Sequence, residues 1–525
     1  MGRARTILFV TSNGTGLGHL TRSMAIARRL DRAHQALVLT LSAAAPVVRA
    51  VGFPVEYVAS YGTPGAGSDW RWSRRLRGRL RAAIAEADPA VVVFDGAHPY
   101  QALIDALAEA RGARCVWCRR PMWRPGSNRG ALARTGFFDA VLEPGEFAAE
   151  EDRGPTTERR AEARRVAPIV FCDDSDLLPR AEAERELGLE PGRVNALVQL
   201  GQGPEVREAV ARCLRHLSGR EGVQIAALSS AIAGLGSVPE GVVHLRATYP
   251  MSRYYAAFDL AVSAAGYNAY HELIRFGVPA LYVPMPRQTD DQPARARYAE
   301  RCGVGLGVEG PGSERIESLL DRLLDPERCA SMRERLEQRR PPNGAAEAAR
   351  WLEEVAASGP RTGRGSPSRG RRWMRAPLRS ARSAAPFLAR VPLHAAAFVR
   401  QTIARRPPRT VVLALGIPPG AFERELDAAL ARTPDPPKRV LVITDSLEFE
   451  PLLRCGAGFE HVPAAGEPQA ALAGGGYEAF LRRRLGLILA ERRRPRRAVP
   501  AGTVPEGLLE AITAPVRRRR ELLGA

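Results

Sequence analysis

Residues 262–296 read VSAAGYNAYHELIRFGVPALYVPMPRQTDDQPARA. The apolar run DLAVSA (259–264) has the character of a strand, and it runs into Gly266, which opens a helical pattern carrying Asn268, His271 and Glu272. A second apolar run, ALYVP (280–284), follows and feeds the loop MPRQTDDQ. Strand, helix, strand is how a parallel sheet covered by helices is written. A helix that starts at Gly266 presents unpaired backbone N–H groups and the positive end of its dipole, a seat for a diphosphate. Glu272 lies about two turns further in, where a carboxylate can accept hydrogen bonds from paired ribose hydroxyls. Asp291 and Gln292 offer acceptors and donors suited to the hydroxyls of a sugar. All fall near the carboxyl ends of strands, where open parallel sheets collect their ligands.

The same alternation extends in both directions. Upstream, strands are expected at TILFVT (6–11), ALVLTL (36–41), VEYVAS (55–60), VVVFD (91–95), RCVWC (114–118) and DAVLE (139–143), with helices near 20–30, 73–87 and 99–111. A second series follows VAPIVF (166–171): NALVQL (195–200), VQIAAL (223–228), VVHLRA (242–247), then the two strands above, closed by helical stretches at 313–340 and 344–357. The expected fold class is therefore α/β, with two doubly wound parallel-sheet domains at 1–165 and 166–357. Residues 358–408 are rich in Arg, Ser, Pro and Gly and mix arginines with Trp373, Met374, Leu378, Phe387 and Phe398. The first dozen read as linker, and the rest either as a basic amphipathic arm at an anionic membrane surface or as an arm packed on the preceding domain or a partly disordered tether. TVVLALG (410–416), RVLVITDS (439–446) and FEHVPA (459–464) predict a small third α/β domain at 409–525.

Near the start, SNGTGLGHLTR (12–22) places Gly14, Gly16 and Gly18 ahead of His19 and Arg22. The glycines ask for a backbone that bends hard or lies against a ligand, and the two side chains do acid-base chemistry or bind anions. The two stretches together resemble a known group. AGYNAYHELIRFGVPALYVP with DDQPARA is similar to the C-terminal donor-binding domain of family 28 glycosyltransferases, the MurG-like group of GT-B enzymes, and SNGTGLGHLTR is similar to the glycine-rich loop of their N-terminal acceptor domain. The resemblance covers residues 1 to about 357 and leaves the tail outside it.

That resemblance implies a UDP-sugar donor with its ribose on Glu272 and its diphosphate at Ala265, Gly266 and Asn268. Asp291 and Gln292 would meet the donor sugar. Gly201 and Gln202, in LGQG (200–203), would lie near the phosphates, and Met251 would meet the uracil. Gly14, Gly16, Gly18 and Arg22 would face the acceptor, with His19 opposite the anomeric carbon. Arg22 stands where the lipid-intermediate enzymes usually have proline, which leaves the acceptor open among bacterial glycans and lipid-linked sugars.

An inverting transfer needs a base for the acceptor hydroxyl and positive charge or oriented dipoles for the departing diphosphate. His19 and Asp95, which ends VVVFD, compete for the role of base, and an Asp–His pairing across neighbouring strand ends would orient the ring. Arg119 and Arg120, after RCVWC, would either bind an acceptor phosphate or lie solvated. No acidic pair stands in a metal-holding context, so no metal and no cofactor are expected. A nucleotide-sugar epimerase or hydrolase of the same fold is the alternative reaction, and release of UDP with an elongated acceptor separates the two.

Composition bounds the remaining options. The chain has 525 residues and a formal net charge of +20, and a net +16 of it lies from Arg361 onward. The near-neutral body and the lack of aromatic-basic interleaving argue against a nucleic-acid-binding protein working through the arginine-rich tail. Seven cysteines form no disulfide framework, and Cys115 and Cys118 lack the second pair that a zinc site needs. No apolar run is long enough to span a bilayer, so a cytoplasmic protein is expected, with contact at the inner face of the membrane through the arm.

Overall fold

The structure is a computed structural model that describes residues 5–12, 17–60, 69–110, 112–201, 204–228, 240–245, 248–359, 408–490 and 495–523. The strands form three parallel sheets. The first contains β1 (Arg5–Thr11), β2 (His34–Thr40), β3 (Val55–Tyr57), β4 (Val91–Asp95), β5 (Arg114–Cys118), β6 (Ala140–Glu143) and β7 (Ala163–Arg165), in the order β3-β2-β1-β4-β5-β6-β7. The second contains β8 (Val194–Gln199), β9 (Val223–Leu228), β10 (Val243–Leu245), β11 (Leu260–Ala264), β12 (Ala280–Val283) and β13 (Leu306–Gly307), in the order β10-β9-β8-β11-β12-β13. The third has β14 (Thr410–Leu415), β15 (Val440–Thr444), β16 (Gly458–His461) and β17 (Arg497–Gly502), in the order β16-β15-β14-β17. Two Rossmann-like domains and a smaller C-terminal α/β domain are thus present.

The central strands are apolar runs because both faces of the sheets are covered. In β8, Ala196 and Val198 pack with Val206, Val210 and Leu214 on one face, while Leu197 packs with Tyr255 and Leu273 on the other. Strand order reverses between β1 and β4 in the first sheet and between β8 and β11 in the second. Crevices for ligands open at such reversals, beyond the carboxyl ends of the strands. Thr11 pairs with Asp95 in register, and Ser263 pairs with Gln199, so the loops carrying His19, Gly201 and Gly266 all leave from these two points.

One expected helical stretch, 313–340, is two helices, Ile316–Leu324 and Pro326–Gln338. Pro326 forces Asp325 out of the helical region, to ψ 118°, and the Asp325 side chain accepts from the Arg328 amide at 3.0 Å, starting a new helix. Two strands had no apolar signal: β7 is Ala-Arg-Arg at a sheet edge, and β17 carries Pro500, which an edge strand tolerates.

The chain forms two compact units, one of Met1–Ala36, Val91–Pro99 and Cys115–Ser358, the other of Leu37–Ala90, Tyr100–Arg114 and Gly359–Ala525. The second unit holds a buried ion network. Glu56 of β3 accepts from Arg79 Nε at 2.7 Å and from Arg484 Nη2 at 2.8 Å, and Arg484 also meets Glu86 at 2.9 Å. Arg79 Nη2 donates to the His461 carbonyl at 2.6 Å, and the Tyr57 amide donates to His461 Nδ1 at 3.2 Å. The C-terminal sheet is thereby joined to β3 and to the helix Asp69–Ala87.

Candidate active site

Every described residue of the candidate site lies in the first unit. After β1 the chain reaches the helix Gly18–Ala27. Gly14 and Gly16 lie outside the described residues, and a Cβ on Gly18 would meet nothing within 4 Å. His19, one residue into the helix, sets Nδ1 2.7 Å from Asp95 Oδ1. Asp95 is held from its other side by Arg22, whose Nε reaches Oδ2 at 3.1 Å and whose Nη2 reaches Oδ1 at 2.6 Å. Arg22 Nη2 is also 3.0 Å from His19 Nδ1, but two N–H groups cannot bond each other. We assign the Nδ1 proton to the Asp95 hydrogen bond, which leaves the Nε2 lone pair free. The loop after β4 depends on Gly96, where a Cβ would lie 2.5 Å from Phe94 Cζ and 2.8 Å from Ser12 Oγ.

The electrostatics agree with that assignment. Burial lowers the His19 pKa below its ordinary 6.5, against the pull of Asp95, so the ring is neutral near pH 7. Burial also pushes Asp95 up, but Arg22 and His19 outweigh it and hold the carboxyl below the usual carboxylate range. A neutral imidazole oriented by an ionised carboxylate is a competent proton acceptor.

On the donor side, Gly266 caps the helix Tyr267–Arg275, which buries Tyr270, Leu273 and Ile274 against the second sheet, with Tyr267 and His271 also buried. Ala265 is buried, and its carbonyl accepts from Arg295 Nη1 at 3.2 Å. Asn268 Oδ1 is buried without a hydrogen-bond partner. Glu272 is also buried, and this desolvation pushes its carboxyl up to about 8, against the Phe171 amide and the Ser252 hydroxyl. These two donors do not offset the loss of water around the carboxylate. Met251 is buried in the turn Met251–Ala257. Gly201 follows β8 at φ +86°, and Gln202 lies outside the described residues.

Arg120 pairs with Asp290, and Asp290 also meets Arg295 Nη1 at 2.8 Å. Arg295 Nε continues to Glu146 Oε2 at 2.9 Å, and Glu146 Oε1 lies 3.1 Å from His271 Nε2. Burial raises both carboxyls, but the arginines prevail: Arg120 and Arg295 hold Asp290 far below the ordinary range, and Arg295 with His271 holds Glu146 at about 2. Gln292 is engaged at both ends, accepting from the Met285 amide at 2.8 Å and donating to Asp290 at 3.1 Å. The loops after β5 and β12 are stitched together by Arg124 N to Thr289 O at 2.7 Å and Asp291 N to Met122 O at 3.0 Å.

Asp291 caps the helix Gln292–Arg301, accepting from the Ala294 amide at 3.3 Å. Asp291→Ala is therefore expected to cost about 0.5–2 kcal/mol of stability, and Asp291→Asn to cost little, measured by chemical denaturation. An Asp291→Ala protein of unchanged stability would remove the capping role. Sequence reading singled out neither Glu146, Arg295 nor Tyr267. Arg295 stands in DDQPARA and was legible as part of that motif, whereas Glu146 sits in an irregular loop with no periodic signal. Among the described residues, no three His, Cys, Asp or Glu side chains are placed to hold a metal ion. All seven cysteines are free.

The fold and these two strand-order reversals define a GT-B protein. Residues 214–348 match the glycosyltransferase family 28 C-terminal domain. The chain is 33% identical over 136 residues, 25% of its length, to the UDP-N-acetylglucosamine--N-acetylmuramyl-(pentapeptide) pyrophosphoryl-undecaprenol N-acetylglucosamine transferase of Aquifex aeolicus, and spans 39% of that protein. With the transferase of the same name from Rhodococcus opacus it is 27% identical over 395 residues, covering 68% of this chain and 98% of the relative. The crystal structure of Acinetobacter baumannii MurG superposes with a TM-score of 0.44 at 18% identity, over 66% of this chain and 99% of that one. The chain is a GT-B-fold glycosyltransferase related to family 28.

Proposed function

We propose that the protein is an inverting, metal-independent transferase that moves a hexose or N-acetylhexosamine from a UDP-sugar to a glycan or lipid-linked acceptor. The single observation that carries this reading is the His19–Asp95 pair, a neutral imidazole held at 2.7 Å by a carboxylate at a strand-order reversal. His19 Nε2 takes the proton of an acceptor hydroxyl as its oxygen bonds to the anomeric carbon. The bond from that carbon to the diphosphate breaks, and UDP leaves with the electron pair. Amide groups at Gly266 and the start of the helix Tyr267–Arg275 receive the charge, and Glu272 accepts from the ribose hydroxyls.

Ala265, Asn268, Gly201, Gln202 and Met251 complete the donor side, with Gln292 and Asp291 toward the sugar. Gly14, Gly16, Gly18 and Arg120 border the acceptor. The donor class is that named for the transferases of Aquifex aeolicus and Rhodococcus opacus, UDP-N-acetylglucosamine. Residues 1–165 serve as the acceptor domain and 166–357 as the donor domain, followed by the arm at 358–408 and the domain at 409–525. The arm, of which 360–407 lie outside the described residues, would contact anionic lipid at the inner face of the membrane. Among the described residues no helix is long and apolar enough to cross a membrane.

A panel of UDP-, dTDP- and GDP-sugars tested by thermal denaturation reads the donor class. UDP-sugars are expected to raise Tm, and UDP with an elongated acceptor is the expected product in a lipid-linked acceptor assay. Free sugar or an epimer as product would replace transfer with hydrolysis or epimerisation.

A further inference from the structure

Arg22 differs from the other arginines of the site, Arg120 and Arg295, in what it touches: they pair with Asp290 and Glu146, whereas Arg22 pairs with Asp95. Its side chain is 1% exposed, and every strong polar contact it makes goes to the catalytic pair. One edge of the guanidinium grips both oxygens of Asp95, a two-point contact that a lysine cannot reproduce. The group also lies over the ring of Tyr267, 5.0 Å from its centroid. Tyr267 is the first residue of the donor-side helix, and its hydroxyl is fixed in turn, donating to the Gly145 carbonyl at 2.9 Å and accepting from the Ile169 amide at 3.1 Å. The Nε–Nη2 edge of the guanidinium is thus taken by Asp95 rather than by a phosphate of the acceptor. It does have the geometry to set where Asp95, and through it the His19 ring, points.

We propose that Arg22 is a positioning residue that locks Asp95 by two-point contact, aims the His19 ring at the acceptor hydroxyl, and ties that aim to the donor helix through the Tyr267 ring. The proposal rests on the reading of His19 as the base. Charge has a second consequence. The groups facing the His19 ring are Asp95, Arg22 and Arg120, with the Cys118 thiol beside Asp95 and Arg22. Burial lowers the ring's proton affinity, Asp95 raises it, and the two arginines lower it. Removing the charge of Arg22 leaves Asp95 facing His19 without its counter-ion, so the imidazolium becomes easier to form. The base is then lost to protonation at a higher pH.

The test uses the full chain with histidine labelled at Cε1 by ¹³C, His19→Gln assigning the His19 signal. In Arg22→Gln the His19 titration should move up by about one pH unit or more, and the acid limb of the transfer profile should move with it. Arg22→Lys keeps a charge but not the two-point grip. Its acid limb should stay near that of the unsubstituted protein while kcat falls about tenfold, a loss of aim rather than of charge. UDP affinity, measured by calorimetry, should stay within about twofold in both, which also shows that the donor side is folded. A folded Arg22→Gln protein with an unmoved His19 titration overturns the proposal, and so does an Arg22→Lys protein with full kcat. Should Arg22→Gln not fold, Arg22→Lys decides. If the unsubstituted protein neither binds UDP nor transfers sugar, the donor reading fails while the His19 titration still reads Arg22.

Discussion

Replacing His19 with alanine should lower kcat by about 10²–10⁴-fold and leave the affinity for UDP within about twofold. The expectation follows from the division of labour between the two strand-order reversals. The imidazole stands at the β1/β4 reversal, where Asp95 holds its Nδ1 at 2.7 Å, and none of the groups assigned to the nucleotide depends on it. Its loss removes the proton acceptor without unseating the donor. The pH profile gives an independent check. His19 must be neutral to act, and burial keeps its pKa below 6.5, so transfer should hold steady as pH falls toward that value and be lost only below it. A kcat for His19→Ala within about threefold of the unsubstituted enzyme would remove the ring from the chemistry and pass the role of base to Asp95.

Glu272→Ala should weaken UDP binding by roughly 10- to 150-fold, the loss of about 1.5–3 kcal/mol carried by hydrogen bonds to a charged acceptor. The unliganded carboxyl is held up at about 8 by burial, so at neutral pH it is mostly protonated. A ribose that donates two hydrogen bonds needs the ionised form, and binding below pH 8 must therefore release a proton. UDP affinity should rise up to about tenfold per unit between pH 6 and 8 and level off above. Stability of the free protein runs the other way. A carboxyl whose folded pKa exceeds its unfolded value, about 4.3, contributes stability that is full below that value and is lost as pH rises through about 8. Glu272→Gln should flatten this decline in Tm. Calorimetry that finds UDP bound equally well at pH 6 and pH 8, with no proton released, would separate Glu272 from the nucleotide.

Element order was legible because most strands of the first two domains carry apolar runs, the pattern of a sheet covered on both faces, β7 being the exception. The His19–Asp95 pairing was legible for the same reason: Asp95 ends β4, and the loop that leads to His19 leaves the end of the neighbouring β1. The environment of Arg22 was not. A buried and an exposed arginine are written with the same letter, and only the fold reveals that Asp95 and Tyr267 enclose it. The chain Arg120–Asp290–Arg295–Glu146 escaped for a related reason, since its members come from three separate loops and one helix and share no period. The kink at Asp325 could have been read from Pro326 alone.

The ion network around Glu56 bears on whether the C-terminal domain could be removed from the rest of the chain. Arg484, contributed by the last hundred or so residues, neutralises Glu56 and Glu86, which belong to the amino-terminal half. A polypeptide ending at residue 357 would lose Arg484, leaving Glu56 with Arg79 as its counter-ion and Glu86 without its 2.9 Å partner, a defect worth about 3–5 kcal/mol where a buried pair is broken. The C-terminal domain is therefore no detachable passenger, and its removal should destabilise the unit that holds β3 and the helix Asp69–Ala87.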